Sequence, residues 1–380
     1  MTKKNLQFVL PLLFIALVIF NSACKKDPEA EEELIVSPES YDKAGMLTNM
    51  ANNYIIPAYS TYKVETESLK DLASTFVTTP TIQNLENLRS QWQLGLLTWQ
   101  EVAFLEFGPA EGISLRGQTN VYPTDTAVIN DNIAVGTFNL QLPANFSAKG
   151  FQALDFLLYR PGYSNLELVN FYSNNSGAKN YLLAVATELF DNANYVLGQW
   201  QSSYSTSFIN NNESNSQGSS VSNILNSLSL HYESFVRKGK IGLPAGAFNG
   251  FSQAPMPDHT EAFYSGSSLP YAIREMQAIS KYIKGYSYEG NTNSEGLDDY
   301  LIYLSAQYNG EDLSTFVENQ INTIINNLNG LNDPLSNEVL VNSQEVSDVY
   351  QSMQMLVPSI KVEMTSALGV LITYQDSDGD

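Results

Sequence analysis

The chain has 380 residues, 43% of them hydrophobic, and a formal net charge of −21 at pH 7. That apolar share is ample for a core, while so acidic a surface repels nucleic acid and excludes it as a partner class. Cys24 is the sole cysteine, so no internal disulfide can form.

The first residues read as an export signal. Lys3 and Lys4 are basic, Phe8 to Phe20 is an apolar stretch too short for a comfortable membrane span, and Ser22 and Ala23 are small residues ahead of Cys24. This is the pattern of a bacterial lipoprotein leader cleaved before Cys24, although Asn21 stands where Leu is usual. The alternative is an ordinary secretory signal followed by an incidental cysteine. A lone cysteine at the processing point of an exported chain favours lipidation. Several acyl chains would then hold the protein on the outer membrane of a bacterial envelope. Cleavage removes two lysines and no acid, which takes the charge from −21 to −23. Residues 1–23 are therefore assigned as signal peptide and residues 24–42, with the run "DPEAEEE", as a solvated acidic tether.

Helical periodicity dominates the chain beyond the tether. Ala44 to Thr78 is predicted as one long helix kinked at Pro57. Thr81 to Glu106 makes a second, stopped by "FGPAEG". Phe107 to Phe146 lacks helical pattern, and segments of that length are often functional.

The stretch "KGFQALDFLLYRPG", Lys149 to Gly162, is the next helix, with Ser147 as N-cap and "RPG" as its stop. Phe151, Leu154, Leu157 and Leu158 follow core spacing, and Ala153, Phe156 and Tyr159 cover most of the rest. A helix apolar all round is buried. Only Gln152 and Asp155 break the pattern, three apart on one side, and a buried carboxylate needs partners.

Gly177 to Gln201 is helical, and the turn-rich stretch Ser202 to Ser220 is a domain boundary or a long surface loop. Val221 to Lys240 is helical, Ile241 to Ser268 irregular. Helices follow at Leu269 to Lys284, Leu297 to Gln307, Asp312 to Leu328 and Ser343 to Leu368. The expected fold is all-α: two packed helical bundles, residues 43–205 and 219–380, whose shared rhythm points to duplication.

Standard catalytic signatures are absent. "HYES" at His231 is not the metal-binding H-E-x-x-H pattern, and no G-x-S-x-G elbow or phosphate loop occurs. His231 reads as structural. Asp258, His259, Glu261, Tyr264, Ser265 and Ser268 form a second polar constellation, in which alternation along an extended loop lets His259 meet Glu261, or ordinary hydrogen bonds pin the loop. Trp92 and Trp99 lie on one helix face and read as core. The terminal "DSDGD" resembles the start of a calcium loop but lacks the later Glu, and reads better as an acidic tail.

Four stretches together resemble the imelysin-like family, exported helical proteins linked to bacterial iron uptake and also classed as metallopeptidases. These are "SQWQLGLLTWQEVAFLEFGP", "GFQALDFLLY", "KIGLPAGAFNG…PMPDHTEAFYSGSS" and "LGVLITYQDSDGD", in that order across the mature chain. The resemblance implies a hallmark G-x-H-x-x-E at the second stretch. Gly150 matches it, whereas Gln152 stands for the His and Asp155 for the Glu. Ala103 likewise stands where the family commonly has a Glu, and Glu101 and Glu106 flank it. Glu261, Tyr264 and Ser265 carry over most directly from the family pattern; His259 does not.

Gln has no imidazole nitrogen and does not titrate near neutral pH, so the pair is poor for a transition metal and for acid–base work. A buried polar network, an organic-ligand pocket and a metal site all stay open, in that order. The expected site is thus Gly150, Gln152, Asp155, Glu261, Tyr264 and Ser265, with no cofactor and no metal. The expected role is a non-catalytic binding or accessory protein working with iron- or haem-uptake components. The rivals are a metallopeptidase-like hydrolase and a surface scaffold for a protein or glycan.

Overall fold

A computed structural model describes residues 40–374. Cys24, the tether up to residue 39 and the terminal "DSDGD" lie outside the described residues.

The first helix opens at α1, Lys43–Asn49, where the Asp42 side chain accepts the Gly45 N–H at 2.8 Å. It continues through a π-helical stretch, Met50–Ile55, into α2, Ile56–Thr78. Pro57 explains the change of winding. A proline has no N–H to give back along the helix, and the freed Asn53 carbonyl accepts instead from Tyr288 N, at 2.8 Å.

The second helix, α3, runs only Ile82–Trp99, capped by Thr81, and breaks into turns before Glu106. The segment expected to be irregular holds three helices: α4, Pro109–Gly112, α5, Leu115–Thr119, and α6, Thr126–Val135. Asp125 caps α6 through the N–H groups of Ala127 and Val128, and Gly136 ends it in a left-handed conformation.

Helix α7 is Gly150–Leu158. Ser147 does not cap it; that residue belongs to a 3-10 turn, Pro143–Ala148, and its carbonyl takes the Thr124 hydroxyl and the Asp125 N–H. All nine residues of α7 are buried. Helix α8, Asn165–Asn174, starts in a capping box between Ser164 and Glu167. Helix α9, Ser176–Gln199, passes through a π turn, Trp200–Tyr204, into α10, Ser205–Asn210. The turn-rich link therefore begins at residue 211, not at Ser202.

After it come α11, Ser220–His231, and a long π-helical segment, Tyr232–Gly242. Helices α12, Leu269–Ile283, and α13, Leu297–Tyr303, precede a minimal hairpin of β1, Gln307–Tyr308, and β2, Glu311–Asp312. The remainder is α14, Leu313–Leu328, α15, Leu335–Val341, α16, Ser343–Pro358, a π turn, Ser359–Met364, and α17, Thr365–Ala367.

The fold is an all-α helical bundle. In the first half α2 packs on α3 and α9, and α9 on α6 and α7. In the second, α14 packs on α12 and α16, and α16 on the π segment after α11. Helix α3 meets α12, and Tyr54, Trp99, Phe104, Tyr232 and Tyr282 join one continuous core. From Tyr41 on, the described residues form one compact unit. None of the described helices is long and apolar enough to cross a membrane.

Candidate polar site between the helix groups

Gly150 opens α7 at φ +75°, and a Cβ there would stand 2.1 Å from the Thr119 carbonyl oxygen. Only glycine tolerates both demands. The close approach brings the end of α5 against α7, so that Gln152 Nε2 donates to Asn120 Oδ1 at 2.7 Å. The Gln152 side-chain Oε1 accepts the Ala262 N–H at 2.8 Å.

One turn on, the Asp155 carboxylate accepts two backbone N–H groups, Tyr264 at 2.8 Å and Ser265 at 3.0 Å. Burial pushes its carboxyl up to about 7, against the pull of those donors and of the Ser265 hydroxyl. Tyr264 also packs its ring on Phe156, edge to face at 5.1 Å. The loop that serves α7 in this way, residues 260–268, begins after a 3-10 turn, Pro257–His259. His259 pairs with Asp258 at 3.0 Å rather than with Glu261. The turn replaces the extended alternation that would have aligned His259 with Glu261.

Glu261 points inward, to groups that the sequence did not single out. Its Oε1 accepts from Asn120 Nδ2 at 2.7 Å and from Gln100 Nε2 at 3.1 Å, and its Oε2 accepts from Lys240 Nζ. Lys240 also donates to Gln100 Oε1 at 2.9 Å and lies 3.2 Å from Glu275 Oε2. His231 Nε2 lies 2.5 Å from Glu275 Oε1. One chain of hydrogen bonds and ion pairs therefore runs from Gln152 through Asn120, Glu261 and Lys240 to Glu275 and His231. Asp155 joins it through the 260–268 loop.

Winding decides who takes part. Residues nine apart on an α-helix face opposite sides, at about 100° per residue. The i→i+5 winding of Tyr232–Gly242 turns less per residue and returns Lys240 to the side of His231. Glu275 sits on the apolar stripe of α12 with Ala272, Met276 and Ile279, the one feature that could have revealed it in the sequence.

The electrostatics follow from burial and pairing. Burial would release the Lys240 proton, but Glu261 and Glu275 outweigh it and raise its pKa. Burial would keep Glu275 protonated, but Lys240 and His231 outweigh it and lower its pKa. His231 is pushed down to about 4, chiefly by burial, so its ring is neutral near pH 7. Nearby, burial pushes Glu106 up to about 7 although Arg116 opposes it, and Glu106 accepts the Arg116 N–H at 3.0 Å. Glu101 stands apart, paired with Arg274 and Lys281. Trp92 and Trp99 are core, and Trp92 Nε1 donates to the Phe151 carbonyl at 2.9 Å.

The residues at the hallmark do not fit a transition metal. Gln152 spends its oxygen on Ala262, and both Asp155 oxygens face N–H donors. Glu261 is held by a lysine and two amides. Among the described residues no three His, Cys, Asp or Glu side chains gather as metal ligands.

Residues 55–360 match the family model Imelysin, peptidase M75. An iron-regulated protein A from Synechococcus elongatus is 23% identical over 155 residues, 41% of this chain and 40% of that protein, so the match spans well under half of the relative. Two solved structures share the fold. An imelysin-like protein from Psychrobacter arcticum 273-4 superposes with TM-score 0.65 at 18% identity, covering 88% of this chain and 97% of that one. A Parabacteroides distasonis ATCC 8503 protein described as an iron-regulated protein A precursor gives TM-score 0.70 at 17% identity, covering 87% and 96%.

Proposed function

The chain belongs to the imelysin family, and on that premise we propose that it is a non-catalytic binding or accessory protein of iron or haem uptake. In this reading it is carried on the outer membrane of a bacterial envelope by a lipid on Cys24. The family and the relative named for iron regulation support the iron side. The non-catalytic side rests on one observation. Where the family pattern has His and Glu, Gln152 and Asp155 are hydrogen-bonded to backbone N–H groups of residues 262–265. That part of the helix serves as a dock for the 260–268 loop, with every one of these three side-chain oxygens engaged by a backbone N–H.

Two assays test the proposal together. Purified protein titrated with haemin or a ferric chelate should bind one of them, and a peptide library incubated with it, with and without added zinc, should stay intact. Peptide cleavage lost on chelation, with neither iron species bound, would replace this reading with the metallopeptidase one.

A further inference from the structure

Two buried polar atoms beside the polar chain find no hydrogen-bond partner among the described residues: Arg116 Nη2 and His231 Nδ1. Their residues are 8% and 3% exposed. Both residues line one cavity of about 20 Å³, together with Trp99, Gln100, Lys240 and Glu275. A buried donor or acceptor without a partner is costly, and a polar cavity of that size admits one water.

The donor set selects the occupant. Arg116 Nη2 can only donate. Glu275 Oε2 is taken up by Lys240 Nζ at 3.2 Å. His231 Nε2, 2.5 Å from the Glu275 carboxylate, carries the ring proton, which leaves Nδ1 an acceptor. A cation would face a guanidinium and an ammonium; an anion would face a carboxylate and a lone pair. A neutral molecule that accepts from Arg116 and donates to His231 satisfies both atoms, and water does so within the volume. Phe235, 41% exposed, closes the arrangement: its ring stacks on His231 at 5.5 Å and lies 4.6 Å under the Arg116 guanidinium.

We propose that this cavity is a water site, holding one molecule between Arg116 and His231 with Phe235 as its cover. The bound water donates toward the His231 Nδ1 lone pair, with Glu275 steadying the ring from its other nitrogen. The site shares Asn120 with the Gln152 dock and does not depend on the iron reading.

A crystal structure fine enough to show ordered solvent tests it. The expected result is one density peak within 3.2 Å or so of both Arg116 Nη2 and His231 Nδ1. Crystals soaked in sodium bromide should show no anomalous peak there. Phe235→Ala, at a half-exposed position, should fold and exchange this water at least about tenfold faster by oxygen-17 relaxation dispersion. Bare density at the cavity, an anomalous bromide or metal peak in it, or unchanged exchange in the Phe235 variant would each overturn the assignment.

Discussion

Lys240 and Glu275 face each other at 3.2 Å where they are only 4% and 1% exposed. The ammonium is shared with Glu261, so one buried cation neutralises two carboxylates drawn from the 260–268 loop and from α12. Lys240→Met leaves both buried acids without their ammonium. The expected loss is about 3–5 kcal/mol of unfolding free energy by urea titration. A variant as stable as wild type would remove the ammonium from its place at the centre of the network.

Asp155→Ala orphans the N–H groups of Tyr264 and Ser265 and should destabilise by about 1–3 kcal/mol. Hydrogen exchange localises the effect. Amides 264 and 265 should lose protection first, ahead of the core helices. Uniform loss across the chain, or a melting curve that overlays wild type, contradicts the docking role.

Acid–base linkage gives a pH prediction. Burial raises the folded-state pKa of Asp155 and of Glu106 to about 7, above the ordinary carboxylate values. Each therefore lends stability while protonated, and that share is lost as pH rises through about 7. His231 works the other way: its folded pKa of about 4 costs stability as pH falls below its usual 6.5. Above pH 6.5 the carboxyls act alone, so unfolding free energy should fall from pH 6.5 to 8. Glu106→Gln keeps an acceptor for the Arg116 N–H and should flatten that fall. An equal slope in the variant would clear Glu106 of any part in it.

Metal content is the next measurable quantity. Protein dialysed mildly should carry less than about a tenth of an equivalent of zinc or iron by elemental analysis. Gln152→His puts back the family's imidazole, yet both Asp155 oxygens remain engaged by Tyr264 and Ser265. The variant should gain no tight metal site by calorimetry. One equivalent held by either protein, and lost on Asp155→Ala, would show that the loop yields to a metal.

Replacement of Cys24 by Ser should move the protein from the membrane pellet to the soluble fraction after osmotic lysis, since acyl chains would be its strong hydrophobic attachment. Pelleting equal to wild type would refute the anchor.

Half of the polar site was legible in the sequence. Gln152 and Asp155 betray themselves as two polar side chains on a helix with no solvent face. Glu275 does the same on the apolar stripe of α12, and the same reasoning applied there would have found it. Lys240 was hidden for a physical reason. Its side is set by π winding, which a 3.6-residue period cannot foresee. Gln100 and Asn120 carry no signal either, because an amide looks alike in a turn and in a network. Among the helices, α6 and α8 were missed although Asp125 with Gly136, and Ser164 with Glu167, mark their ends. A composition rich in Asn, Thr and Gly masked the caps as loop.

Pro57 sets a phase. Because of it the stretch Met50–Ile55 takes i→i+5 winding, which holds one more residue per closed ring than an α-helix. Everything before that point is rotated by roughly one residue's 100° relative to everything after. In that orientation Asn49 reaches the carbonyls of Gly285 and Glu295, at 2.7 and 3.1 Å, and the Asn53 carbonyl meets the Tyr288 N–H. Pro57 touches none of these later residues through a hydrogen bond of its own, yet it selects the clock position at which the first helix presents its asparagines to them.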